Sequence, residues 1–263
     1  MQNCWGVIGC GWLGLPFAKY SIKIGDKVIG STTSKEKVQI LRDAGISPVL
    51  LSTNSNDKLD NLFTSCNYIL LNIPPSNLKE NYAKEMLTLS QQFNSEAKVI
   101  FISSTSVYAD KNQDATESDK LDGQGRSAPY IIEVEKILQQ KLNERLTIIR
   151  MAGLVGGERH PAKYMSGKTY ENGKDKINLI HLEDCIGLIN EVVQQNYFGE
   201  IINGCSTDHP RKMDYYTWAA KKMNVTPPIF QEKEGTWKEV SNNKSKISLK
   251  YSYKYESPFD FPL

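Results

Sequence analysis

Long apolar runs are missing from the chain: none approaches the ~20 residues that a membrane span requires, so no membrane partner is expected. An excess of one charge is missing as well. Lys and Arg number 32 against 30 Asp and Glu, a net charge of +2, which leaves no basic footprint for nucleic acid. Histidine is scarce: His160, His181 and His209 stand too far apart to suggest a metal centre, and none is expected. The five cysteines, Cys4, Cys10, Cys66, Cys185 and Cys205, include no CxxC pair. That odd, scattered set argues against a disulfide framework or zinc site and reads as buried thiols in a reducing, cytoplasmic setting. The opening MQNCWGVIGCGWLG lacks a basic start followed by an apolar core, so it does not read as a signal peptide. What remains is ordinary globular material: 263 residues, 40% hydrophobic and 24% charged, enough for one or two domains with a sizeable core.

Short apolar runs alternate with longer amphipathic stretches. Residues 4–9, 27–31, 48–51, 68–72, 98–103 and 146–150 read as strands, and 12–24, 34–44, 77–93 and 129–143 as helices. Near-continuously apolar strands separated by helices imply a parallel sheet covered on both faces. The expected fold class is therefore α/β, a doubly wound parallel sheet of the Rossmann type with a small C-terminal substrate lobe. Residues 1–155 are expected to form the Rossmann domain, with 178–205 returning to it through a helix at 181–194 and a strand at 200–203. Residues 156–177 and 206–263 are expected to build the lobe, with a helix at 213–223 and a β-like piece at 246–249.

Gly9-Cys10-Gly11-Trp12-Leu13-Gly14 is a GxGxxG placed directly after the first strand and opening the first helix. Glycines there allow a tight turn, close approach of backbone to a pyrophosphate and close helix–strand packing. The helix start then offers its N–H groups and positive dipole end to phosphates. Dinucleotide binding by Gly9, Gly11, Trp12, Leu13 and Gly14 is expected. About 20 residues on, such sites carry the group that reads the adenosine ribose. Here Ser31, Thr32, Thr33, Ser34 and Lys35 hold that place, with Lys37 close by and no Asp or Glu at the strand end. A carboxylate would repel a 2′-phosphate, whereas hydroxyls and a lysine accept one, so NADP is favoured over NAD.

Three further segments carry a family resemblance over about residues 4–205. Phe101-Ile102-Ser103-Ser104-Thr105-Ser106-Val107-Tyr108 is similar to the fifth-strand signature of the extended short-chain dehydrogenases/reductases. Residues 150–156 resemble the RxxxxxG segment after the sixth strand, and residues 178–184 the IHVDD segment before a late helix. GCGWLGLP, Arg159-His160-Pro161 and Asp208-His209-Pro210-Arg211 resemble a short, atypical branch of NAD(P)-dependent epimerase/dehydratase relatives. The resemblance implies that Ser104, flanked by Ser103 and Thr105, holds the substrate oxygen. It implies that Ser103 contacts the cofactor and that Asn72, Ile73 and Pro74, which follow the fourth strand, either wall the cofactor or form a purely structural turn. It places the acid/base tyrosine of a YxxxK motif at Tyr130. Four residues past Tyr130, however, stands Val134, and Lys136 is about 240° round the helix. Without that lysine Tyr130 keeps a pKa near ~10 and is a poor base, unless Arg126 stands in as the cation.

Other residues have bland readings beside the functional ones. His181 and Asp184 orient a helix or line a site; Arg159, His160 and Lys163 form a solvated loop or an anion pocket; Tyr215, Tyr216 and Trp218 pack the small lobe; Tyr108 packs or lines the nicotinamide pocket. Two functions follow. One is an NAD(P)-dependent oxidoreductase or epimerase/dehydratase acting on a small carbonyl or hydroxyl substrate, the favoured reading. The other is a catalytically degenerate NADP-binding sensor. In either case the partner is a small molecule, and the helices at 77–93 and 129–143 are suited to pair across a homodimer, as in relatives.

Overall fold

The computed structural model describes residues 2–51, 63–75 and 78–263. In chain order the first elements are β1 (Cys4–Ile8), α1 (Gly14–Lys23), β2 (Lys27–Thr32), α2 (Lys35–Asp43), β3 (Ser47–Leu50), β4 (Tyr68–Leu71), α3 (Tyr82–Ser90) and β5 (Lys98–Ser104). Next come β6 (Gln113–Ala115), α4 (Ala128–Leu142), β7 (Leu146–Met151), β8 (Gly153–Val155), α5 (Pro161–Met165), β9 (Thr169–Tyr170) and β10 (Leu179–His181). The last are α6 (Leu182–Gln194), β11 (Ile201–Gly204), α7 (Lys212–Lys222), β12 (Ile229–Phe230), β13 (Lys238–Val240) and α8 (Asn243–Ile247).

Among the described residues, seven strands form one sheet in the order β11-β7-β5-β4-β1-β2-β3. β1 runs parallel to β2 and β4, β2 to β3, and β4 to β5. This is the doubly wound α/β sheet that the alternation of apolar runs implies. Four of five residues of β1 and all six of β7 are buried, as strands covered on both faces must be. The covering helices turn apolar residues inward at helical spacing: Phe17 and Ala18 from α1, and Ile131, Val134, Leu138 and Leu142 from α4. Strand order reverses at β1, which has β2 on one side and β4 on the other. Such a reversal opens a crevice beyond the carboxyl ends of the two strands.

The chain divides into two compact units. Met1–Ser103, Arg126–Ile149 and Asn196–Ile201 make the first; Ser104–Gly125, Arg150–Gln195 and Ile202–Leu263 make the second. Of residues 178–205, expected to return to the Rossmann part, β11 does join the seven-stranded sheet, whereas α6 packs within the second unit. Its buried Asp184 accepts hydrogen bonds from Tyr251 Oη (2.9 Å) and from the N–H groups of Lys254 (2.7 Å) and Tyr255 (3.2 Å). β10, which leads into α6, pairs with β8. Tyr215, Tyr216 and Ala219 of α7 pack with Val155, Leu179 and Phe261, and Trp218 lies against that cluster.

Two local expectations change. Residues 246–249 read as extended, yet Asn243–Ile247 is helical, because Ser245 turns inward to bond Asn242 O (2.8 Å) and Tyr253 Oη (2.9 Å). The helix expected at 77–93 is α3, preceded by a 3-10 turn at Lys79–Asn81; its expected start at Asn77 lies outside the described residues. Among the described residues no helix is long and apolar enough to cross a membrane.

Candidate functional site

The turn after β1 is shaped by glycines that do different work. Gly9 has φ +100°, a left-handed backbone that side chains disfavour, and a Cβ there would meet Asn72 O at 2.4 Å. A Cβ at Gly14 would meet Gly9 O at 2.1 Å. Asn72 Nδ2 donates to Gly9 O at 3.3 Å, so the segments following β1 and β4 are in backbone-level contact. Gly11 is exposed, and a Cβ there would meet nothing within 4 Å. The protein's own packing explains Gly9 and Gly14. Gly11 instead keeps open room over the backbone, which is what close approach by a phosphate group needs. α1 begins three residues later with no side-chain cap; Leu15 N–H donates back to Gly11 O (3.1 Å) and Pro16 has no N–H, so the helix dipole's positive end is what the turn offers an anion.

The end of β2 supports this turn. Ser31 is buried; its Oγ accepts from Gly9 N–H (2.8 Å) and its carbonyl accepts from Cys10 N–H (2.8 Å). Its hydroxyl oxygen is thereby committed to shaping the glycine turn. Thr32 Oγ1 accepts from Ser34 N–H (3.2 Å). The Ser34 hydroxyl donates to Glu36, which holds that carboxyl below its ordinary pKa. Glu36 is thus a carboxylate two residues past the strand-end hydroxyls, on the first turn of α2, where the sequence reading looked for one only at the strand end.

A cavity of ≈ 320 Å³ lies in the first unit at the carboxyl ends of β1, β2 and β4, in the size range of small-molecule pockets. Eight of the residues expected to bind cofactor line it: Gly9, Gly11, Ser31, Thr32, Thr33, Asn72, Ile73 and Pro74. Trp12, Leu13, Gly14, Ser34, Lys35 and Ser103 do not; Lys37, rather than Lys35, supplies the lysine. Sequence reasoning missed Cys10, Leu51 and Leu78, together with Glu85, Met86 and Leu89 of α3. Only the spacing of the α3 residues offered a signal, since positions three and four apart share a helix face. Tyr82 Oη donates to Ile73 O (2.6 Å) and pins that wall. Burial pushes the Cys10 thiol up to about 12, so it lines the cavity as a neutral group. Open space at Gly11, the uncapped helix start and the hydroxyl-lined edge together suit a phosphate-bearing, nucleotide-like ligand.

The residues that the resemblance marks for chemistry are held as follows. In the first unit, Ser103 Oγ donates to Oε1 of buried Glu135 (2.5 Å), facing the interior. Tyr130 Oη donates to Glu80 Oε1 (3.0 Å), and that acceptor raises the phenol above its ordinary pKa. Val134 is fully buried and Lys136 is exposed, so no lysine of α4 is offered to Tyr130. In the second unit, Ser104 Oγ accepts from Ser106 N–H (3.1 Å), capping a short turn and leaving its own proton to donate.

The remaining candidates make the following contacts. Tyr108 Oη donates to Asn203 Oδ1 (2.8 Å) and accepts from Arg150 Nη1 (2.8 Å), whose guanidinium lies 5.1 Å from the ring centroid. Burial pushes Tyr108 up to about 12. His160 Nδ1 accepts from Ala162 N–H (3.1 Å), capping α5, while Nε2 bonds Tyr215 Oη (2.9 Å); burial pushes this imidazole down to about 4. His181 caps α6 by accepting from Glu183 N–H (3.3 Å). Lys163 pairs with Glu158 at 3.2 Å. Among the described residues no three His, Cys, Asp or Glu side chains gather as metal ligands do.

No protein-family model matches the chain. Protein YeeZ of Escherichia coli K12 is 31% identical over 269 residues, covering 98% of both chains. In structure the chain is similar to a UDP-glucuronic acid 4-epimerase from Bacillus cereus solved with NAD (TM-score 0.78, 17% identity, 95% of this chain and 93% of that one). It is equally similar in fold to a dTDP-glucose 4,6-dehydratase from Bacillus anthracis, also solved with NAD (TM-score 0.79, 16% identity, 96% and 92%).

Proposed function

Because the chain belongs to the family of protein YeeZ and, by its fold, to the extended short-chain dehydrogenase/reductase-like proteins, we propose that it binds a nicotinamide dinucleotide in the cavity at β1, β2 and β4. We read it as an oxidoreductase or epimerase/dehydratase acting on a small hydroxyl or carbonyl compound. The observation that carries this reading is Gly11, a glycine whose Cβ position is open although its neighbours Gly9 and Gly14 are tightly packed. Bound, such a cofactor supplies hydride transfer at its nicotinamide ring. The glycine turn would receive the pyrophosphate, and Thr32, Thr33 and Lys37 the adenosine ribose. The hydroxyls and Lys37 favour a 2′-phosphate, and so NADP; the Glu36 carboxylate on the same turn opposes it. The solved relatives named above carry NAD. A soluble, cytoplasmic enzyme completes the reading.

For substrate chemistry we assign Ser104 as the hydroxyl that donates to the substrate oxygen, since its proton is not used by the turn it caps. Tyr130 is assigned as a proton donor. Its raised pKa keeps it protonated at neutral pH and makes it a poor base. The same observation, with buried Val134 in the lysine's place, supports the second reading: a sensor that keeps the nucleotide site and has lost the proton relay.

Titration of the purified chain with NADPH and NADH, followed by nicotinamide fluorescence, tests the proposal. Binding of either supports the site, and the ratio of the two affinities decides the cofactor. Binding of neither would remove both readings. Ser104→Ala and Tyr130→Phe then separate enzyme from sensor. The enzyme loses turnover of NAD(P)H against a panel of small carbonyl compounds at unchanged cofactor affinity; the sensor turns over none of the panel before or after substitution.

A further inference from the structure

Two thiols meet at the opposite end of the strands that lead to the cavity. Cys4 opens β1 and Cys66 lies in the turn before β4, with their Sγ atoms 3.5 Å apart. Cys4 is partly exposed and Cys66 is buried. The backbones that carry them are already joined: Asn67 N–H donates to Cys4 O (2.9 Å), and Cys4 N–H donates to Asn67 Oδ1 (3.0 Å). One residue on, Trp5 pairs in register with Tyr68. A disulfide needs ~2.05 Å between sulfurs, so closure asks for a movement of about 1.5 Å between two side chains on fixed backbone. Cys10, Cys185 and Cys205 are buried, and Cys10 and Cys205 turn their thiols to the carbonyls of Val7 and Leu179.

We propose that Cys4 and Cys66 are a reversible thiol–disulfide pair, oxidised by a low-molecular-weight disulfide such as glutathione disulfide. The Cys4 thiolate, its proton released to water, attacks one sulfur of glutathione disulfide and expels a glutathione thiolate, leaving a mixed disulfide on Cys4. Cys66 then gives up its proton and attacks the Cys4 sulfur, forming the Cys4–Cys66 bond and expelling the second glutathione. Two protein thiols are oxidised and one glutathione disulfide is reduced to two thiols. Exposure sets the order. Burial, with Cys4 beside it, pushes the Cys66 thiol up, so Cys66 is the resolving partner rather than the first nucleophile. The bond fastens the lead-in of β4 to the start of β1 across 62 positions of sequence, and constraining so long a loop costs the unfolded chain entropy.

The test uses the full chain incubated with glutathione disulfide, quenched with N-ethylmaleimide and digested without reductant for mass spectrometry. The expected result is a linked peptide pair joining Cys4 to Cys66, lost on reduction, with a higher Tm that dithiothreitol reverses. Cys66→Ser is expected to stop at the glutathione adduct on Cys4. Cys4→Ser is expected to take up no glutathione at Cys66 and to show no rise in Tm, which keeps the test open should Cys66→Ser not fold. A stable glutathione adduct on Cys4 in the unsubstituted protein, a link to another cysteine, or two thiols left free would each overturn the proposal. No nucleotide enters the assay, so its outcome is independent of the proposed function.

Discussion

A methyl group added at Gly14 would meet the Gly9 carbonyl oxygen at 2.1 Å, while one added at Gly11 would point into open space. The two glycines of one motif therefore predict opposite phenotypes. Gly14→Ala forces backbone apart in a packed turn and is expected to destabilise the protein by about 1–3 kcal/mol, read as a fall in Tm. Gly11→Ala is expected to leave stability within about 0.5 kcal/mol while weakening NAD(P)H binding, because the methyl occupies the room a phosphate would use. Equal loss of stability in both variants would mean that Gly11 serves packing only. Glycine spacing was readable directly from the sequence. The contact with Asn72, which forbids a side chain at Gly9, was not, since the two lie 63 positions apart and meet only when β1 and β4 pair.

Among the elements, α5 shows how a residue suspected of chemistry can be a structural cap. His160 must be neutral to accept from Ala162 N–H, and burial lowers its pKa from the ordinary 6.5 to about 4. A depressed folded-state pKa contributes stability that is fully present above 6.5 and is lost as pH falls through 4. His160→Asn replaces the capping Nδ1 with an amide oxygen and gives up the bond to Tyr215, at a cost of about 1 kcal/mol near neutrality. The wild-type advantage in Tm is expected to shrink as pH falls below 6.5 and to change sign before pH 4, because only the wild type carries a buried group that the unfolded chain protonates first; a constant difference would show that the imidazole does not titrate there. Arg159, His160 and Lys163 read as a solvated basic loop sooner than as an anion pocket, and the burial of His160 was not legible because exposure is not written in residue type. Helix boundaries in the sheet region were legible to within a few residues, for the apolar period and the glycines after α1 and α2 mark them.

For the molecule as a whole, the candidate nucleotide cavity is built from the first compact unit alone. Hydrogen exchange with and without saturating NADPH or NADH is expected to show added protection concentrated at residues 9–14, 31–37 and 72–74. Protection confined to the second unit would place the nucleotide elsewhere and contradict the assignment. The division into units was the least legible feature. Residues 178–205 contain a helix and a strand of the kind that serve a Rossmann sheet, yet side-chain ties from Asp184 to the segment around Tyr251–Tyr255 draw α6 into the second unit. Such ties join positions about 70 apart and have no periodic signature.

The sequence by itself determined the alternation of strands and helices, the parallel sheet and the place of the glycine turn, because apolar periodicity and glycine positions are local properties of the chain. Tertiary structure decided which residues wall the cavity, that Ser31 shapes the turn, and that Lys37 and not Lys35 lines it. It also decided that Tyr130 answers to Glu80 and that Cys4 meets Cys66. Each of these depends on a contact between residues that folding brings together, or on which way a side chain faces once the strands are paired, and neither is encoded in spacing along the chain.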